Sequence, residues 1–326
     1  MDIKTTNRSP TVEPLSRSFD RVKVDWTSLL MTVATGFCVV LILAMLAVIL
    51  AYIGWHGADA FSLRFISSGV GQDMFDAKQT GVLPMILGTC ARVMLMTLFV
   101  MPMGVITAVY LTEYAPPGSR ITRILRGAVN NLAGVPSIVF GLFGLGFFIS
   151  FVGGGLDNLF NANATAPHFR SPALIWASLT LAIMTMPVVI VATEESLRSI
   201  PQGLRSASLA LGATKLQTIT RVVLPQALPG ILTGGILAVS RAAGEVAPIL
   251  FTGAAYYVSG YPDSLTSQFM DLGYHIYILS TQSPDVQRTE PILFATVMTL
   301  LVLTFSLNAL AVLVRSLMRR RIRLAV

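Results

Sequence analysis

The chain has 326 residues, 54% hydrophobic and only 12% charged, about half the ~25% charged share of a soluble domain, which argues against a water-soluble globule. The net charge of +7 does not point to nucleic acid, because the basic residues lie between apolar runs rather than on one polar patch. Cys38 and Cys90 both sit inside apolar runs and read as small buried hydrophobes, not as a disulfide framework.

Residues 1–28 mix Ser, Thr and Pro with both charge signs and are expected to be a disordered cytoplasmic tail. A charge-free stretch from Trp26 to Ala58 follows and predicts a first transmembrane helix over 29–53. It is too long for a signal-peptide apolar region of about 7–15 residues and is expected to be retained. The second span lies within Val82–Leu111, interrupted by Arg92 alone. The third runs from Leu132 to Val152 and contains Gly141, Gly144 and Gly146 after Pro136; the fourth runs from Ala173 to Thr193 with Pro187 inside it. Small residues permit close helix approach, and prolines free carbonyls that must face protein or water. The fifth span, Ile231–Thr252, carries Arg241 and Glu245, and the sixth covers Ile292–Val314. The Tyr-rich segment between them, with Tyr256, Tyr257, Tyr261, Tyr274 and Tyr277, suits a cap at the membrane interface. Residues 315–326 form a basic tail.

Lysine and arginine placement sets the orientation. The amino-terminal tail, the loops after spans two and four, and the carboxyl tail together hold 17 of these residues, and the opposite loops hold 4. Both termini are therefore expected in the cytoplasm. His56, His168 and His275 lie at or outside span ends without ligand spacing; they read as surface residues, and no metal site is expected.

The segment between spans four and five, near 196–225, predicts two short amphipathic helices joined by a tight turn. Gly212 is a natural helix stop, and Thr214 with Gln217 has capping-box spacing. Leu216, Ile219 and Val223 share one face of the second helix, and Pro225 is expected to end it. The segment also resembles the conserved loop of ABC importer permeases, whose pattern is Glu-Ala-Ala, three residues, Gly, nine residues, Ile, one residue, Leu-Pro. Ser206-Ala207-Ser208, Gly212, Val222 and Leu224-Pro225 fall at that spacing, with Ser206 in place of the Glu and Val222 in place of the Ile. The resemblance implies a coupling helix that docks into a cleft on a separate ATPase. No Gly-x4-Gly-Lys-Ser/Thr phosphate loop occurs in the chain, so energy is expected from that partner.

Arg241 and Glu245 are four residues apart and can pair on one helix face. An arginine near the bilayer centre costs at least about 2.5–3.5 kcal/mol and should face protein or a water-filled cavity. The pair reads as a bridge between helices, as part of an anion path in which the guanidinium forks onto phosphate oxygens, or as both. Arg92 has three readings: it snorkels outward, pairs with Glu245, or lines the path.

Arg241-Ala242-Ala243-Gly244-Glu245, followed by Ala247-Pro248-Ile249-Leu250-Phe251-Thr252-Gly253, resembles the PstA-type phosphate permease subunits of ABC importers. Tyr110–Ala115, Asn131–Gly144 and Thr185-Met186-Pro187, which is expected to break the fourth span, add to the resemblance. It covers residues 82–314, the expected permease core. It implies an all-α, type I ABC importer permease fold with six transmembrane helices in a bacterial inner membrane. It further implies a PstC-type sister permease, two copies of a cytoplasmic ATP-binding subunit, a periplasmic phosphate-binding protein, and surrounding lipid. This chain would bind no cofactor, and ATP and Mg would sit on the partner ATPase. A permease for another oxyanion, or a phosphate-responsive receptor without flux, are the alternatives.

Overall fold

The computed structural model describes residues 26–71, 80–116, 118–160 and 166–324, with side chains through Met318. The expected amino-terminal tail and most of the basic carboxyl tail lie outside the described residues or their side chains. Among the described residues, six helices are long and apolar enough to cross a membrane: Trp26–Gly57, Leu83–Tyr114, Ser137–Phe160, Leu174–Arg198, Lys215–Ala243 and Val286–Met318. No strand forms among the described residues; one isolated bridge joins Ala254 to Phe269.

Trp26–Gly57 is a single uninterrupted helix, and among the described residues its stretch through Ala51 forms a unit separate from the chain that follows. Within the larger unit the fourth span packs most extensively, against the second and then the fifth. The apolar window of the fourth span is 67% buried and that of the sixth only 6%, so the fourth is the axis of the bundle. Its core joins Met96 and Val100 of span two, Leu181, Met184 and Val189 of span four, and Ala238 and Ala242 of span five. Glycines bring these helices close: a Cβ on Gly104 would strike Val189, and one on Gly234 would strike Ala192.

Several boundaries differ from expectation. The third span begins at Ser137, not Leu132, because Pro136 lacks an N–H and disfavours helical geometry at Val135. Leu132 instead belongs to a separate helix, Arg120–Ala133, which buries no residue within the chain and carries Arg120, Arg123 and Arg126. Pro187 does not break the fourth span, which stays helical from Leu174 to Arg198 under packing from both neighbours. Pro225 does not end the second loop helix either. The chain runs helically from Lys215 to Ala243, and a π-turn at Ile219–Val223 leads into the proline with wider hydrogen-bond spacing.

The fifth span stops at Ala243 rather than Thr252. Gly244 to Ala247 leave the helix, and a short turn at Ile249–Thr252 follows. Gly141 and Gly144 of span three pack against this break, where added Cβ atoms would meet Pro248 and Thr252. The outer segment then folds back over the bundle. Leu174 and Ile175 donate backbone hydrogen bonds to Ser267 and Leu265, and a helix at Leu272–Thr281 lies across the start of span two.

A Cβ on Gly88 would run into the carbonyl oxygen of Met270, a backbone atom of this returning segment. Gly88→Ala is expected to lower stability by about 1–3 kcal/mol in thermal unfolding of the detergent-solubilised protein. Gly146→Ala, which meets nothing within 4 Å, should change it little.

Candidate functional site

The break in span five removes the next helical turn from the carbonyls of its last turn, leaving the Ala242 oxygen only a tightened bond from the Glu245 N–H at 3.2 Å. Arg92 supplies further donors: Nη1 donates to the Ala242 oxygen at 2.9 Å and Nη2 to the Ala243 oxygen at 3.4 Å. The guanidinium is fully buried and pairs through Nε and Nη2 with Asp271 Oδ2 at 3.0 and 2.9 Å. Thr89 donates to the same carboxylate oxygen at 2.9 Å and accepts the Leu272 N–H at 3.1 Å. The other oxygen of Asp271 caps the outer helix, accepting from the Gly273 and Tyr274 N–H groups at 2.9 and 3.3 Å.

One buried ion pair thus closes two helix ends from opposite sides. Arg92 stands at the negative end of span five, and Asp271 at the positive end of Leu272–Thr281. The sequence reading left Arg92 three options. The structure turns it inward rather than letting it snorkel, and its carboxylate partner is Asp271, not Glu245. Sequence reasoning missed Asp271, although a lone arginine inside a span demands a counter-charge, and Asp-Leu-Gly is a helix-start signal.

Arg241 and Glu245 do meet, Nε to Oε1 at 3.4 Å, but not along one helix. Arg241 occupies the last turn, and Glu245 lies in the break beyond it. Unlike Arg92, the Arg241 side chain is 47% exposed and that of Glu245 21%. The pair therefore stands at the helix interruption with donors still open, next to carbonyls that Arg92 already occupies.

The loop near 196–225 folds as a helix at Gln202–Ala210, a turn, and the start of the long helix at Lys215. Gly212 takes φ +85°, a left-handed conformation that favours glycine. Thr214 and Gln217 form both bonds of the capping box. Ser206, Ala207 and Pro225 are exposed, Ser208 bonds Thr218 at 2.9 Å, and Val222 and Leu224 are half-buried. Ile219 and Val223 turn into the core as predicted, but Leu216 does not; it stands 62% exposed. With Leu209 and Leu211 it forms an outward apolar tip that this chain leaves uncovered.

His275 is also not a surface residue. It is buried against Asp271, Tyr274 and Tyr256, and neither ring nitrogen finds a partner. Burial pushes its pKa down to about 4. Among the described residues, no group of three or more His, Cys, Asp or Glu side chains could hold a metal ion.

Residues 100–320 match the family described as the binding-protein-dependent transport system inner membrane component. The chain belongs to this family. The match takes in the loop near 196–225, Arg241 and Glu245, and leaves Arg92 outside. Among relatives, the probable ABC transporter permease protein YqgI of Bacillus subtilis is 33% identical, over 69% of this chain and 70% of its own. The phosphate transport system permease protein PstA 1 of Mycobacterium tuberculosis is 34% identical, over 75% and 72%. Among solved structures, a bacterial alginate ABC transporter, in complex with a periplasmic protein holding an alginate pentasaccharide, superposes with TM-score 0.62 at 17% identity, covering 88% of this chain and 93% of its own. The MetNI methionine ABC transporter gives 0.51 at 20%, covering 71% and 94%. These establish the fold of type I ABC importer permeases: this member is a multi-pass transport component, and ATP hydrolysis in such systems belongs to a separate subunit.

Removing one partner of the buried pair in this permease leaves the other charge uncompensated, at a cost of about 3–5 kcal/mol. Asp271→Asn should therefore lower the unfolding midpoint sharply. Arg92→Gln combined with Asp271→Asn should lose less than the sum of the single changes. His275 is neutral in the fold, whereas an unfolded chain takes up its proton below pH 6.5. Stability should therefore fall between pH 6.5 and about 4, by up to about 3 kcal/mol. His275→Leu should flatten that dependence in unfolding measured across the same range.

Proposed function

We propose that this chain is the PstA-type permease subunit of an ATP-driven phosphate importer in a bacterial inner membrane, with both termini cytoplasmic. The observation that carries the reading is the contrast between the two arginines of the bundle. Arg92 has its guanidinium consumed by Asp271 and two carbonyls, while Arg241 stands half exposed at the break in span five. A half-open guanidinium on the flank of a permease fits an oxyanion path completed by a second subunit, because its planar fork matches phosphate oxygens. Similarity to PstA proteins of several bacteria supports phosphate as that oxyanion.

In this reading Glu245 holds Arg241 when no anion is present, and the incoming oxyanion displaces it. A PstC-type sister chain supplies the facing wall, and a periplasmic phosphate-binding protein delivers the substrate. The apolar tip at Leu209, Leu211 and Leu216, with Ser206 and Ala207 beside it, docks one of two cytoplasmic ATPase copies, which carry ATP and Mg. Ser206 stands where the family pattern has Glu, so the docking contact is mainly apolar and shape-driven. The neutral node around Arg92 braces the path without touching substrate.

The test is ATP hydrolysis by the co-expressed complex in proteoliposomes, with the binding protein loaded with phosphate or left empty. Loaded protein is expected to stimulate hydrolysis, and phosphate uptake should resist competition by sulfate. Arg241→Gln should reduce uptake by about 10-fold or more, the loss of one charge-assisted contact. Uptake unaffected by that change would remove Arg241 from the path, and stimulation by another oxyanion would replace phosphate as substrate.

A further inference from the structure

The helix Gln202–Ala210 buries none of its residues and presents Leu209 to solvent, so no apolar core of its own holds it to the bundle. Polar contacts hold it instead, and they converge on Arg205. This guanidinium donates through Nη1 to the Ile200 oxygen at 2.6 Å and through Nη2 to the Leu197 oxygen at 2.7 Å, the carbonyls that close span four. The same Nη2 meets Glu113 Oε1 at 2.7 Å, and Nε reaches that oxygen at 3.3 Å. The two side chains are only 11% and 10% exposed, against 54% for Arg198 and 47% for Arg241 in the other ion pairs they head.

Glu113 lies in the π-turn Tyr110–Tyr114 that ends span two. Two more cations reach the same turn: Lys215 Nζ sits 4.9 Å from the centre of the Tyr114 ring, and Arg126 Nη2 donates to the Leu111 oxygen at 2.9 Å. Both limbs of the coupling loop are therefore tied to the end of span two, one through Arg205 and Glu113, the other through Lys215 and Tyr114. A nearly buried, multiply bonded guanidinium holds one geometry, whereas an exposed pair does not.

We propose that Glu113 and Arg205 are positioning residues that make the coupling helix and the cytoplasmic end of span two move as one body, so that displacement at the docking tip reaches the helix that carries Arg92. The proposal rests on the reading of the chain as an ATP-driven permease. Neither residue touches substrate or nucleotide.

The test uses the whole complex, with Cys38 and Cys90 replaced by Ser and spin labels on Ile106→Cys and Gln202→Cys, both at exposed positions. The distance between labels is read by pulsed EPR without nucleotide and with ATP and vanadate. It should stay constant between the two states in the parent and should shift or broaden in Glu113→Gln. In proteoliposomes, Glu113→Gln should lower phosphate moved per ATP by at least about fivefold while the ATPase still co-purifies, and Glu113→Asp should recover most of it. A label distance that changes with nucleotide in the parent overturns the proposal, and so does a Glu113→Gln complex that matches the parent in both readouts. Loss of assembly in both Glu113→Gln and Glu113→Asp reduces the pair to a structural brace and likewise overturns it. The EPR arm needs no phosphate: a constant parent distance without phosphate-stimulated hydrolysis would sink the substrate reading and leave this one standing.

Discussion

Every backbone polar group within a bilayer needs a partner, and the interrupted fifth span is where that requirement is hardest to meet. The helix stops at Ala243, among the packed spans, and the chain beyond it gives the terminal carbonyls only a tightened bond from Glu245 to Ala242. Arg92 satisfies them from span two, and its charge is tolerable only because Asp271 returns from the outer segment to neutralise it. The outer helix is in turn capped by the same carboxylate. The break, the returning segment and the register between spans two and five therefore depend on one ion pair.

That arrangement frees the residues on the other side of the break. Because the carbonyls of Ala242 and Ala243 are already engaged, Arg241 is not needed as a helix cap and can point away from the core. Two arginines of opposite character result, one spent on structure and one left half open. A charge that is fully hydrogen-bonded and buried has no donors left to offer, so burial itself separates the two environments.

The end of the bundle that carries the loop near 196–225 obeys a related logic. The helix Gln202–Ala210 exposes Leu209 and has no buried face, so ion pairs and carbonyl contacts take over the work that apolar packing does within the bundle. Among the described residues, three stretches of π-helix interrupt the spans, at Tyr110–Tyr114, Gly144–Gly153 and Ile219–Val223. The first is tied to the loop near 196–225 through Glu113 and Tyr114, and the last lies within it. A π-turn accommodates an extra residue without ending the helix, which lets these ends change direction while their hydrogen bonds stay intact.

Much of this was legible in the chain itself. Apolar run lengths determined six spans, because a bilayer of fixed thickness demands about 20 residues per crossing. Gly212 and the Thr214–Gln217 box determined the turn of the loop near 196–225, since both act through local backbone chemistry. Arg241 and Glu245 were visible as a pair four residues apart. What only the tertiary structure decided was the fate of groups whose partners are remote in sequence. Asp271 lies 179 residues from Arg92, and Arg205 lies 92 residues from Glu113; no periodicity encodes either meeting. The same holds for Pro187 and Pro225, which end helices in isolation but not where neighbouring spans and π-spacing hold the chain in register, and for His275, whose burial depends on the outer segment folding back. Local propensity is a property of a few consecutive residues, whereas the balance of buried charge is settled only when distant segments share one low-dielectric space.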